Sequence, residues 1–587
     1  MQKLQAMLTA SERKGAILLL GLMLVGMAME ILGIGMILPV VALMIRGDLP
    51  LHFHFIRPVL NFFGNPDQAW LITGAMLALV GIYLVKNLFL AFLAWQQARF
   101  AADVQINLSQ RLFSVYLHQP YTFHLQRNSA QLVRNIATDV VQLSMAVTSY
   151  LALVSEALVL SGLVLMLVVV EPLGALIAVM ILGSAAWVFY RGTHARLASW
   201  GKARQYHDGM RIQHLQQGLG GAKDMKLLGR EHNFLEQFRE HNMKSARARQ
   251  FQATLQQFPR LWLETLAVIG LAILVMSMLW QGRDMSGIVP KLALFVAAAF
   301  RVMPSVNRVL SAMQSMRFSG TVIESLYEEL ALEAQVCGAL AADGKQGSLQ
   351  KEIRLVTVTY KYPAASSLAL DGMDIVIYKG ESVGIIGSSG SGKSTLVDVL
   401  LGLLTPYSGQ VTVDGLDIRE NLRAWQNQIG YVPQSIYLTD DTLRRNVAFG
   451  ISDADIDGAA VQKAIASAQL EKFVSSLPAG LETIVGERGV RLSGGQRQRI
   501  GIARALYHDP TVLVLDEATS ALDTATESGV MEAVTALHGD KTIVIVAHRL
   551  STVEGCDRLF RLEHGRLVGE GTPAEMLAHS KATITLP

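Results

Sequence analysis

SVGIIGSSGSGKSTLVDVLLGLL, residues 382–404, decides how the carboxyl-terminal part of this chain folds. An apolar, β-branched run leads into a glycine-rich centre that fits G-x-x-x-x-G-K-[ST], and an apolar-periodic run follows from Leu396 to Leu404. Strand, loop and helix in that order are the context in which the pattern cradles phosphate. Gly387, Gly390 and Gly392 let the backbone through Ser388, Ser389 and Ser391 turn its N–H groups onto phosphate oxygens. The helix that opens at Lys393, Ser394 and Thr395 directs its positive dipole end at the same anion. Lys393 is placed to reach the β- and γ-phosphates of ATP, and Ser394 to ligate Mg²⁺.

LVLDEATSALD, residues 513–523, supplies the other half of such a site. Its apolar residues read as a buried parallel strand, and a carboxylate at the carboxyl end of that strand falls beside the phosphate loop. Asp516 suits Mg²⁺ held through water, and Glu517 suits the orientation and deprotonation of an attacking water. Thr542–His548 is a further strand of the same character, with His548 at its end within reach of a γ-phosphate.

With these peptides in place, residues 351–587 resemble the nucleotide-binding domain of ABC transporters. The resemblance implies roles that spacing does not give. Tyr362 in VTYKYP matches the aromatic that stacks on adenine, and Gln434 in IGYVPQ matches the glutamine that senses Mg²⁺. Ser493, Gly494, Gly495 and Gln496 of LSGGQ match the signature that contacts ATP held by the opposite subunit, and Asp523 matches the loop linking the two sites. TIVGERG at 483–489 looks like a segment of exporters. The resemblance implies a second chain as partner: a copy of this one is expected, which would give two competent sites because each would carry Glu517 and His548, and a heterodimer with a related chain is the alternative.

Composition places the rest of the chain. Apolar residues make up 51% of it, more than a soluble chain with one ATPase domain would carry, and the excess lies in the first 310 residues. Six apolar runs at about 16–45, 71–95, 148–170, 172–190, 259–280 and 288–310 read as membrane spans. The expected fold is an all-α six-helix transmembrane domain of exporter type over 1–330, a small and polar linker over 331–350, and an α/β P-loop ATPase domain over 351–587. Lys and Arg crowd the stretches 96–147 and 191–258 and are sparse in the other connections. Both termini and the ATPase domain are therefore expected on the cytoplasmic side of a bacterial cytoplasmic membrane. Met1–Ser11 runs straight into a span too long for a signal core, so the first span is expected to stay as an anchor. The two long stretches read as helices continuing out of the membrane, with contacts that couple them to the ATPase domain expected around 124–136 and 214–226.

Cargo is read from charges inside the spans. Glu30, Lys86 and Arg301 lie in apolar runs where charge is costly, so they are expected to face the bundle interior or a wet cavity, with Lys86 and Arg301 able to receive an anionic head group. Lys86 can instead snorkel towards an interface. EILGIGMILP at 30–39, QPYTFHLQRN at 119–128, QGLGGAKDMKLLGRE at 217–231 and RVMPSVNR at 301–308 are similar to the membrane domain of bacterial lipid-linked oligosaccharide flippases of the PglK type. That resemblance implies ATP-driven movement of a lipid-linked oligosaccharide or related lipid, an amphiphile with a phosphate or pyrophosphate head, from the inner to the outer leaflet. A multidrug or peptide exporter is the alternative. A non-transport ABC ATPase acting on nucleic acid is disfavoured by the spans and by a net charge of only +3. The two cysteines, Cys337 and Cys556, have no metal or redox spacing.

Overall fold

The structure is a computed structural model that describes residues 2–37, 40, 68–170, 172–280, 285–332, 348–363, 365–518, 524–547 and 549–576. The chain divides into two units, one of residues 1–119 and 126–338, the other of 120–125 and 339–587.

The first unit is helical. In chain order the helices of residues 1–338 are α1 (Gln2–Met7), α2 (Ala10–Gly35), α3 (Gln68–Leu117), α4 (Tyr121–Gln126), α5 (Ser129–Arg134), α6 (Val140–Val170), α7 (Pro172–Gly220), α8 (Ala222–Leu228), α9 (Glu231–Trp280), α10 (Met285–Phe318) and α11 (Gly320–Ala331), of which α4 up to Leu125 is grouped with the second unit. Among the described residues three helices are long and apolar enough to cross a membrane: Ala10–Gly35, Ala69–Leu117 and Ser129–Val169. The start of α2 is fixed by a capping box, in which Glu12 N–H donates to Thr9 Oγ1 and Thr9 N–H to the Glu12 carboxylate. Helices α3, α7 and α9 extend far beyond a membrane span, at 49 to 50 residues each. At the tip of α7 the run of glycines ends the helix, α8 makes two turns, and Gly229 closes it in the left-handed region at φ 61°.

Beyond the apolar runs, α5, α7 and α9 are locked by buried charge. Asp208 on α7 has no exposed surface; it accepts from Ser245 Oγ at 2.6 Å and from Arg249 Nη2 at 2.9 Å, with Arg211 at 3.5 Å and Arg204 at 3.9 Å. Asp139, equally buried, faces Arg134 at 3.2 Å and accepts from Gln205 at 3.1 Å. Burial holds Asp139 above the ordinary carboxylate range against these donors. Arg204 and Arg134, counted in the sequence towards the cytoplasmic side, thus lie largely inside the helical extension, while Arg211 and Arg249 reach Asp208 from its surface.

The second unit contains β1 (Glu352–Tyr360), β2 (Leu370–Tyr378), β3 (Ser382–Gly387), α12 (Lys393–Leu400), β4 (Ser408–Val413), β5 (Leu416–Asp417), α13 (Leu422–Gln426), β6 (Ile429–Val432), α14 (Leu443–Val447), α15 (Gly458–Ser467), α16 (Glu471–Ser476), α17 (Gly494–Leu506), β7 (Val512–Asp516), α18 (Thr524–Thr535), β8 (Thr542–Val546), β9 (Arg558–Glu563) and β10 (Arg566–Gly571). Strands β2-β1-β4-β5 form an antiparallel sheet; β10-β9-β3-β8-β7-β6 form a second sheet, parallel from β9 to β6. Strands β7 and β8 are buried at every residue, as continuous apolar runs with both faces covered must be. One apolar core joins α12 to both sheets, and the other gathers α14, α15 and α17 behind β7 and β8.

Candidate functional site

The carboxyl ends of β3, β8 and β7 carry the loop, the segment after Val546 and the two acids respectively. Strand β8 lies between the other two, with Ile385 level with Val546 and Val546 level with Asp516. The loop and the acids are therefore one strand apart rather than adjacent, and a wide enough floor is left between them for a ligand at the crevice.

The loop 387–392 is built for close approach. A β-carbon at Gly387 would lie 2.4 Å from the Leu562 carbonyl oxygen, and Gly392 sits at φ 103° with the Ala369 carbonyl 2.7 Å from where its β-carbon would be. Only glycine tolerates both conditions. Gly392 caps α12, so the first turn of that helix faces the loop. Lys393 is buried and donates from Nζ to the carbonyls of Gly387 and Ser388 at 3.0 Å each. Burial lowers its pKa, and the charges of Glu517 and Asp516 oppose that shift. Ser394 is exposed on the same turn while Thr395 is buried, its hydroxyl 3.2 Å from that of Tyr362. Ser388 and Ser389 are exposed, and Ser391 is buried beneath the loop.

Glu517 leaves the strand in the left-handed region at φ 49°, its N–H donating to the Val546 carbonyl at 3.0 Å. For a residue with a β-carbon this conformation costs about 1–2 kcal/mol, and such strain gathers at functional positions. Gln434 Nε2 donates to Glu517 Oε2 at 2.6 Å, so the resemblance-derived glutamine and the candidate base touch. Two neighbours escaped the sequence reading. The hydroxyl of Tyr431 lies 3.5 Å from Asp516 Oδ2, and Asp398 on α12 is pushed up to about 6 by burial and by the charge of Asp516. Nothing in their local patterns marks them, because their position depends on β6 and α12 both packing beside β7.

The signature falls at the start of α17. Ser493 caps it reciprocally with Gln496, at 3.2 Å and 2.9 Å. The N–H groups of Gly494 and Gly495, which a helix start leaves without intrahelical acceptors, form an anion-binding end. Glu487 is exposed in a short turn before it. His548 and Asp523 lie outside the described residues.

In the first unit Lys86 and Glu30 find each other. Both are buried; Nζ lies 3.5 Å from Glu30 Oε2 and 4.2 Å from the centre of the Tyr83 ring. Gly33, one turn from Glu30, packs on the Lys86 stem and on Tyr83. Glu156 pairs with Arg308 at 2.6 Å, joining α6 to α10, and Glu264 is exposed beside Arg260. The backbone of Arg301 belongs to α10; its side chain lies outside the described residues.

Comparison with known proteins accords with this architecture. Residues 370–520 match the ABC transporter family and residues 32–280 match the ABC transporter transmembrane region. The chain is 32% identical over 511 residues to an ATP-dependent lipid A-core flippase of Ralstonia nicotianae, covering 85% of this chain and 84% of that protein. It is also 32% identical over 515 residues to the ATP-dependent lipid A-core flippase of Dechloromonas aromatica, covering 86% of each. Its fold is similar to that of a bacterial Atm1-family ABC exporter solved with ATP bound, at a TM-score of 0.79, 22% identity, and coverage of 99% of this chain and 100% of that one.

Proposed function

For a chain that belongs to the ABC transporter family, a half-transporter of exporter type whose ATP hydrolysis is coupled to transport, we propose that the cargo is an amphiphilic lipid with an anionic head group. It would be moved from the inner to the outer leaflet of the bacterial inner membrane. The observation that carries this reading is that the likeness to lipid flippases runs through about 85% of the chain, membrane region included, rather than through the ATPase alone.

In this reading residues 1–330 form the membrane domain with its six spans, 331–350 the linker and 351–587 the ATPase, both termini being cytoplasmic. Backbone N–H groups of 387–395 and Lys393 bind the phosphates, and Tyr362 receives the adenine. Ser394, Asp516 and Gln434 offer the oxygen donors that a hard cation requires, so the residues fit Mg²⁺, which when bound would neutralise charge on the phosphates. Glu517, held by Gln434, takes the proton of the attacking water, and His548 steadies the γ-phosphate. A second copy presents Ser493, Gly494, Gly495 and Gln496 to the same nucleotide, with Asp523 joining the two sites. Closure around ATP drives the membrane domains only because ATP binds the closed pair more tightly than the open one.

Lys86 is the residue we assign to the head group, with Glu30 as its buried partner at 3.5 Å and Arg301 as a second basic group in α10. Reconstituted protein should show ATPase stimulation and ATP-dependent flipping with anionic glycolipids. Stimulation by hydrophobic drugs with no response to such lipids would instead favour a drug exporter.

A further inference from the structure

Four residues after Asp523, on the first turn of α18, Glu527 is buried, with its side chain 9% exposed. A carboxylate in that position must be met by donors. Both of its oxygens are met by one short segment: Arg549 Nη1 donates to Oε2 at 2.6 Å and Thr552 Oγ1 to Oε1 at 2.8 Å. Arg549 directly follows His548 in the sequence, and Leu550–Thr552 form a tight helical turn. The carboxylate therefore bridges two chain segments that the sequence separates by more than twenty residues. The bond to the guanidinium is charge-assisted, and the two bonds fix the segment at both ends of its turn.

Helix α18 has a second neighbour. Beside Gly529, half a turn beyond Glu527, lies the guanidinium of Arg499 from the signature helix α17; a β-carbon at Gly529 would sit 2.5 Å from Arg499 Nη2. Arg499 is held in turn by donating to the Gln469 carbonyl at 2.9 Å. Helix α18 thus meets the segment next to His548 at Glu527 and, on its other side at Gly529, the signature helix.

We infer that Glu527 is a positioning residue for ATP hydrolysis, tying Arg549–Thr552, the residues that directly follow His548 in the sequence, to helix α18. The inference rests on the reading of His548 given above. Glu527 touches no substrate; it acts through His548 by fixing Arg549 and Thr552.

The test is a double-mutant cycle on the full-length chain in liposomes, reading kcat and KM for ATP in Glu527→Gln, His548→Ala and the pair. Displacing a positioned group costs on the order of 10- to 100-fold in rate. Glu527→Gln should therefore lower kcat by at least about tenfold, leave KM for ATP within about twofold, and add nothing in the His548→Ala background. If the two losses multiply, or if Glu527→Gln changes KM and not kcat, Glu527 is merely structural and the inference fails. If His548→Ala alone leaves kcat unchanged, the reading of His548 fails first and the inference with it. Thr552→Val removes one donor without unburying a charge, and should show the same dependence on His548 should Glu527→Gln not reach the membrane folded.

Discussion

Replacing Glu517 by glutamine removes a proton acceptor while keeping an oxygen where Gln434 donates. The 2.6 Å bond from Gln434 Nε2 uses only acceptor capacity, which the amide oxygen of the substituted side chain retains, so that side chain should stay where it is. Lys393 keeps its two carbonyl acceptors at 3.0 Å and the charge of Asp516, so nucleotide affinity should change by less than about threefold. A general base contributes about 10²–10⁴ in rate, or roughly 2.7–5.5 kcal/mol of barrier. Turnover should fall by that factor, measured as phosphate release at saturating ATP, while a fluorescent nucleotide still binds. Alanine at 517 separates chemistry from geometry: if the base is what is lost, Glu517→Ala and Glu517→Gln should agree within about threefold. Glycine adds a thermodynamic check. The left-handed φ of 49° costs a side-chain-bearing residue about 1–2 kcal/mol, and the extra freedom of glycine in the unfolded chain offsets about 0.5–1 of that, so Glu517→Gly should be as stable as the parent or slightly more so, yet inactive. Turnover in Glu517→Gln within about threefold of the parent would refute the assignment of the base.

Gly392→Ala should lose nucleotide binding, since φ 103° and a carbonyl 2.7 Å from the new carbon would reshape the loop; retained binding in a fluorescence titration would show the cradle to be tolerant. Asp208→Asn should weaken the base of the α7–α9 pair by about 3–5 kcal/mol, because Arg249 and the buried Arg204 lose their counter-charge, and amide hydrogen exchange in both helices should rise accordingly. His207 and His241, joined Nδ1 to Nδ1 at 2.8 Å, both have pKa values lowered first by burial, with His241 and Lys244 adding to it at His207 and His214 at His241, while Glu240 acts against the shift at both and Asp208 at His207. A native pKa below the unfolded 6.5 means that the unfolded chain binds more protons in acid. The stability these rings contribute is thus complete above about pH 6.5 and lost as pH falls below it. Proteolysis of the extension should increase on that acid limb, and His241→Gln should flatten it. Glu30→Gln should leave Lys86 without its nearest counter-charge and reduce lipid-stimulated ATPase more than basal ATPase, a split that the two assays in liposomes read directly.

How much was legible beforehand follows from the range of the interactions involved. The loop 387–395, the strand ending in Asp516 and Glu517, and the signature at 493–496 are local patterns, and each is found where local chemistry demands: a glycine at φ 103°, strands buried on both faces, a capped helix start. Among the described residues three helices are long and apolar enough to cross a membrane, since apolar length is written in consecutive residues. Positions fixed by distant partners were not legible. Glu30 and Lys86 were separate charges in the sequence and are a pair in the fold, 56 residues apart in the chain. Tyr431 and Asp398 lie inside quoted stretches whose patterns gave them no role, and Glu527 lies just beyond one.

The sequence by itself thus determined the kind of machine, because nucleotide binding and membrane insertion are carried by short contiguous runs whose backbone and hydropathy act over a few residues. Only the tertiary structure decided which charges are spent on one another. Strand β8 was placed between the loop and the acids, Asp208 was surrounded by the arginines of its own extension, and Glu527 was closed onto Arg549 and Thr552. Electrostatic pairing in a desolvated interior depends on distances of a few ångströms between segments far apart in the chain, and no local pattern encodes those distances.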